Sequence, residues 1–241
     1  MAIISPVRAV HLAIDVQAEF LRYLDPERQK EFPHSVRQFA NELREQHGIP
    51  TIWVAMVPGQ GIVLYRPTAS IPDGEPREPE LVEKFGLGAI GPRTDEIILV
   101  KSRGSSIESA DSAFAGTALI KYLKELGISD IIVTGMNTHG CVADSIADAI
   151  QSNALHDALQ CHVMTDLLAA SRTKASAEED RDLTWHEGVL RKILGATPLV
   201  HYYISGEFLR SLKAGFVSPK RQILPHEQPG AVKPSRRGSS P

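Results

Sequence analysis

The chain holds only two cysteines, Cys141 and Cys161, among 241 residues. Two thiols on separate predicted elements do not make the disulfide framework of a small secreted domain, so a reducing cytoplasm is the expected location. The first residues, Met1-Ala-Ile-Ile-Ser-Pro-Val-Arg8, lack the charged and apolar regions of a signal peptide. No apolar run approaches the roughly 20 residues that a membrane helix needs. Lys and Arg total 26 against 29 Asp and Glu, a net charge of −3, which provides no global basic field for nucleic acid. Gly135-Met-Asn-Thr-His-Gly140 is neither a Walker loop nor a dinucleotide fingerprint. No two histidines have metal-ligand spacing. No metal, no cofactor, no nucleic acid and no membrane are therefore expected as partners.

What is present is ordinary in bulk and patterned in detail. Hydrophobic residues make up 42% and charged residues 23%, enough apolar content for one α/β domain over 1–217. From 218 to 241 the chain carries prolines with Lys220, Arg221, Lys233, Arg236 and Arg237 and little apolar content, so a disordered polar and basic tail is expected. Apolar and β-branched runs predict strands at Val7–Asp15, Pro50–Val57, Glu96–Lys101, Ile131–Gly135, Leu159–Thr165 and Pro198–His201. Between them, 3.6-residue periodicity predicts helices at Pro33–His47, Ala115–Leu126, Cys141–Ser152 and Thr184–Leu194, with Gly48, Gly127 and Gly195 as stops. Repeated β-α units imply a mainly parallel sheet covered on both faces, a Rossmann-like α/β fold. Pro58–Arg93, with five further prolines and no sustained period, reads as a long irregular excursion of the lid or interface kind, or as a plain insertion.

In an open doubly wound sheet, ligands bind beyond the C-terminal strand ends, where strand order reverses. Asp15, Lys101 and Cys141 all fall at such ends. Right-handed crossovers let the first and fourth strands lie side by side there, although periodicity does not show that Lys101 reaches the same place. Each residue also has a structural reading: Asp15 as a helix cap, Lys101 as a solvated strand end, Cys141 as a small core residue. Jointly they form a nucleophile, base and cation set, with the thiol near a helix N-terminus that favours its thiolate. His139, two residues before Cys141, either lines the pocket or serves as a second proton carrier, or else faces solvent or caps the turn. His11 reads as a satisfied core or layer residue, and His186 as structural or interfacial. Arg66 and Arg103 are planar donors suited to clamping a carboxylate.

The blocks Ile14-Asp-Val-Gln17 with Phe20, Ile98-Leu-Val-Lys101, Ser112-Ala-Phe114 with Thr117 and Leu119, Val133-Thr-Gly135 and Thr138-His-Gly-Cys-Val142 resemble those of the isochorismatase-like cysteine hydrolases. The resemblance covers roughly residues 7–205. It implies a three-layer α/β/α fold with a six-stranded sheet and a catalytic triad of Asp15, Lys101 and Cys141. It further implies a non-proline cis peptide at Met136–Asn137 that aims N–H groups at an oxyanion, and substrate contacts from Gln17, Phe20 and His139. Relatives commonly form dimers or tetramers, so a homo-oligomer is expected. Nicotinamidases of the family hold a metal through an Asp-x-His element after the second strand, where this chain reads Trp53-Val-Ala-Met-Val-Pro58. Isochorismatases that cleave a vinyl ether usually lack the cysteine. Its retention favours hydrolysis of a C–N bond in a small amide, carbamoyl or ureido compound. The alternatives are another bond, a vinyl ether or an ester, or a catalytically silent binding member. The stretch Gly104–Asp111 between Lys101 and Ser112 is longer than usual for the family and bears on the pocket shape.

Overall fold

The computed structural model describes residues 8–57, 63–65, 79–101, 112–115, 117–151 and 159–215. The expectations for the tail, for the Gly104–Asp111 stretch, for Arg66 and Arg103, and for half of the Pro58–Arg93 excursion lie outside those residues. Six parallel strands form the sheet: β1 (Ala9–Ile14), β2 (Thr51–Met56), β4 (Ile97–Lys101), β5 (Asp130–Met136), β6 (Gln160–Ala169) and β7 (Val200–Tyr203). A short strand, β3 (Val63–Tyr65), adds antiparallel to β4 at one edge. Sequence periodicity missed it because three residues are too few to show a period.

Strand order is β3-β4-β2-β1-β5-β6-β7. Progression runs one way from β1 through β2 to β4 and the other way from β5 to β7. The reversal therefore falls between β1 and β5, which pair from Ala9↔Asp130 to Ile14↔Gly135.

Side chains alternate between the two faces of the sheet, as strand geometry requires. Ala9 and Ala13 of β1, Trp53 and Ala55 of β2, and Ile98 and Val100 of β4 pack on one face. There they meet α2 (Arg28–His47), through Phe32, Val36, Phe39 and Leu43, and α8 (Ser205–Gly215), through Phe208 and Leu212. Val10, Leu12 and Ile14, with Ile52, Val54, Ile97 and Leu99, point to the other face. That face is covered by α4 (Leu119–Glu125), α5 (Ala143–Gln151) and α7 (Leu183–Leu194). The shorter helices are α1 (Ala18–Leu21), α3 (Pro79–Lys84) and α6 (Ala177–Arg181).

Several boundaries differ from expectation, among them the start of α4 at Leu119 instead of Ala115, and two differ for clear local reasons. Helix α2 starts at Arg28, so Pro33 sits inside it rather than at its first position. Its C-terminus is as read: Gly48 adopts φ 68°, and its N–H meets the carbonyls of Arg44 and Leu43. Strand β6 runs on to Ala169 through a register irregularity opposite Val133 and Gly135. The polar pair Thr165-Asp166 masks that continuation in the sequence. Asp166 accepts bonds from the Ser205 N–H (2.8 Å) and hydroxyl, so its carboxylate caps α8. No helix among the described residues is long and apolar enough to cross a membrane.

His11 lies in mid-sheet, fully buried, with Nδ1 3.1 Å from Thr51 Oγ1 and Nε2 2.8 Å from Thr134 Oγ1. Burial, and then the Arg37 charge, lower its pKa from 6.5 to about 3. Between those values the unfolded chain takes up a proton that the folded protein refuses. His11 thus costs no stability above pH 6.5, and stability falls as the pH drops from there toward 3. The loss is about 1.4 kcal/mol per pH unit. His11→Gln is expected to flatten the pH dependence of the urea midpoint by one proton between about pH 6 and 4.

Candidate active site at the strand-order reversal

Asp15 follows the last residue of β1. Continued alternation would send its side chain to the α2 face, whereas Lys101 belongs to the row of Ile97 and Leu99 on the opposite face. The backbone resolves this mismatch. Asp15 has φ 52°, in the left-handed region that aspartate tolerates better than most residues, and the turn breaks the alternation. Its N–H still donates to Val54 O at 2.9 Å, so the residue is tied to β2.

Lys101 ends β4, two strands from β1. Its stem crosses the end of β2, and Nζ lies 2.8 Å from Asp15 Oδ2. The two side chains are 1% and 0% exposed. The start of β4 is anchored by Glu96, which accepts from Arg37 Nη1 (2.7 Å), Trp53 Nε1 (2.8 Å) and the Arg93 N–H (2.8 Å). Burial raises the Glu96 pKa, and its bonds to Arg37 and Trp53 act against that rise.

Cys141 comes from the neighbouring strand on the other side of the reversal. At Gly135 the backbone of β5 approaches β1 so closely that an added Cβ would lie 2.1 Å from Ile14 O. With φ 127°, this position accepts only glycine. The Met136–Asn137 peptide that follows is cis. Thr138–Val142 then forms a π turn, closed by the Val142 N–H donating to Asn137 O at 3.1 Å. Such turns are frequent at functional sites. Cys141 therefore sits in this π turn, one residue ahead of Val142 and two ahead of the start of α5, not in the first α-helical turn that periodicity predicts. It is 3% exposed and packs with the α5-side core. Ser145 fixes it from behind, donating to Cys141 O (2.6 Å) while accepting from the Ala113 N–H (2.9 Å). Ser145 and the Ser112–Ala113 stretch thus couple the π turn to the segment that follows Lys101.

The remaining expected residues divide. Gln17 is 2% exposed; its Nε2 donates to Phe85 O (2.8 Å) and Met56 O (3.3 Å), and its Oε1 accepts from the Met56 N–H (2.7 Å). Both amide protons are spent on backbone, so Gln17 braces the end of β2 against the loop after α3. Phe20, on α1, is half-buried against the α2-side core. His139 lies inside the π turn, half-buried, and its Nδ1 has no hydrogen-bond partner. Burial, and then the Lys174 charge, hold its pKa below the ordinary imidazole value, which leaves a neutral ring at pH 7. Asn137 Oδ1 is likewise buried without a partner.

Cys161, the second thiol, is fully buried in β6, and burial followed by Asp130 pushes its pKa up to about 12. Among the described residues no group of three or more His, Cys, Asp or Glu side chains could hold a metal ion. After β2, Val57 offers no carboxylate or imidazole.

The family model of the isochorismatase domain matches residues 9–187. Among solved structures, a cysteine hydrolase from Pseudomonas syringae pv. phaseolicola 1448A is similar with a TM-score of 0.60 and 16% identity, over 90% of this chain and 97% of that one. The N-carbamoylsarcosine amidase of Thermoplasma acidophilum is similar with a TM-score of 0.53 and 21% identity, over 82% and 96%. The pyrazinamidase of Pyrococcus horikoshii, solved in complex with zinc, gives 0.54 and 14%, over 82% and 99%. Identities this low speak for the fold alone. No curated protein matches the sequence. The domain match runs from the first residue of β1 into α7, and with it the chain belongs to the isochorismatase family of hydrolases.

Proposed function

We propose that this protein is a cysteine-dependent hydrolase that cleaves a C–N bond in a small amide, carbamoyl or ureido compound through a thioester on Cys141. The observation that carries the reading is the buried Lys101–Asp15 ion pair at the same strand-order reversal that presents Cys141. A buried pair is costly to maintain and weak as a source of stability. A paired acid and cation at C-terminal strand ends, with a thiol on the loop after the strand adjacent to β1, therefore support a reading as chemistry. Two of the similar structures are named amidases, which agrees with C–N cleavage.

In this scheme Asp15 accepts the thiol proton as Cys141 Sγ attacks the carbonyl carbon. Lys101 balances the charge of the carboxylate and orients it. Backbone N–H groups near Asn137 and Cys141 hold the oxyanion of the tetrahedral intermediate. Collapse expels the amine, which leaves with the proton from Asp15. Asp15 then takes a proton from the water that attacks the thioester. The second collapse releases the acid, and the thiolate recovers its proton from Asp15.

The test is ammonia or amine release from a panel of small amides, carbamoyl amino acids and ureido compounds, with and without prior alkylation of Cys141. Release that alkylation abolishes supports the reading. Hydrolysis confined to esters or vinyl ethers, or release that survives alkylation, overturns it.

A further inference from the structure

We infer that His186 is a positioning residue for the loop that carries Asn137 and Cys141, acting through the hydroxyl of Thr138. The inference rests on the hydrolase reading above and adds a component that no motif in the sequence marks.

His186 and Thr138 are 48 residues apart and both fully buried. His186 Nδ1 lies 2.8 Å from Thr138 Oγ1, and Nε2 lies 2.8 Å from Asp180 O. A carbonyl only accepts, so Nε2 carries the proton and donates to Asp180 O. In the neutral ring, Nδ1 is then the acceptor and Thr138 the donor. Burial, the largest influence on the ring, disfavours the charged form. Ala169 O, at the end of β6 opposite Met136, lies 3.2 Å from Thr138 Oγ1 and competes for the same single hydroxyl proton, for which His186 Nδ1 is the nearer acceptor. The residue immediately after the cis peptide, three before Cys141, is thus held from α7 through the His186 ring.

The other end of this chain of bonds is anchored as well. The Asp180 carboxylate accepts from the Ala170 N–H and faces Arg28 Nε at 3.4 Å, while Arg28 Nη2 donates to Leu168 O at 2.8 Å. Asp182 caps α7 by accepting from the Thr184 N–H at 2.9 Å. His186 is therefore held in place from α6 and from its own helix. Inside the π turn, the Gly140 and Val142 N–H groups both donate to Asn137 O, at 3.0 and 3.1 Å. The turn closes on the residue next to Thr138, so a loosened Thr138 loosens the N–H groups that aim at the oxyanion. The loop serves the oxyanion that forms only in the transition state, so the loss is expected in kcat rather than in KM.

Two isosteric replacements separate the two sides of the imidazole. Asparagine places a side-chain oxygen near the position of Nδ1 and keeps the Thr138 contact. Glutamine reaches the position of Nε2 and keeps only the Asp180 contact. His186→Gln is expected to lower kcat about 100-fold with KM within about threefold, and His186→Asn is expected to recover most of that loss. Thr138→Val should reproduce His186→Gln. Hydrogen exchange at the Gly140 and Val142 amides supplies a readout independent of turnover: it rises by about tenfold or more in His186→Gln and not in His186→Asn. Equal losses in the two His186 variants mean a merely structural histidine, and unchanged kcat and exchange in both mean no role; either result overturns the inference. Absence of amide turnover in the unsubstituted protein defeats the hydrolase reading alone, and the exchange contrast still decides the role of His186.

Discussion

Cys141→Ala is expected to lower kcat by at least about 10⁴-fold while leaving the circular dichroism spectrum and the m-value unchanged. The side chain lost is one small thiol at the edge of the α5-side core, where Val142, Ala143 and Ile146 continue to pack. A change of about 1 kcal/mol in stability is all that the lost contact accounts for. Cys141→Ser keeps the shape and supplies a hydroxyl that Asp15 is too weak a base to activate well. It should show turnover near that of alanine and no thioester by mass. Substantial amide hydrolysis by Cys141→Ala would remove the thiol from the mechanism, whatever else the site contains.

Lys101→Met has the second large effect, and it acts on stability and activity together. Asp15 is fully buried, with Lys101 Nζ 2.8 Å away. Removing the cation leaves a carboxylate that must either stay charged in an apolar setting or take up a proton. Breaking a buried pair from one side costs about 3–5 kcal/mol. Replacing both members restores what the single change loses, so Asp15→Asn/Lys101→Met should be more stable than Lys101→Met alone in urea. Catalysis behaves differently. Each single variant is expected to lose about 10²–10⁴-fold in kcat/KM, and the double variant should be no worse than the poorer single, because the three groups act as a unit. Additive losses in kcat/KM would mean that Lys101 and Asp15 serve separate steps.

The central parallel strands were legible because they are apolar runs buried on both faces, whereas β7, at the end of the strand order, is buried only at Val200. The runs at Val10–Ile14 and Ile131–Val133 also place Asp15 and the Cys141 loop at C-terminal ends. Adjacency of β1 and β5 agrees with the right-handed crossovers expected of such units. The reach of Lys101 across β2 was not legible. It depends on the positive φ of Asp15, and nothing in the identity of a strand-end aspartate announces which face its carboxylate will take. The π turn was hidden for a related reason: Val142, Ile146 and Ala149 keep helical spacing whether the first turn is α or π. Proline misled at Pro33, which reads as a first helical position although α2 begins at Arg28. The brace formed by Gln17 and the clamp of His186 on Thr138 are long-range contacts, 39 and 48 residues apart, with no local pattern to reveal them.

The central claim is that Cys141 is an activated nucleophile. The most direct measurement is its rate of alkylation by iodoacetamide against pH, read by peptide mass, with Cys161 as the internal reference. Cys161 is buried, with its pKa pushed up to about 12, and should remain unmodified in the folded protein. The account predicts rapid modification of Cys141 with an apparent pKa well below the ordinary thiol value of about 8.5, and an altered pH profile in Asp15→Asn. A Cys141 no more reactive than Cys161 across the whole range, in both proteins, would contradict it.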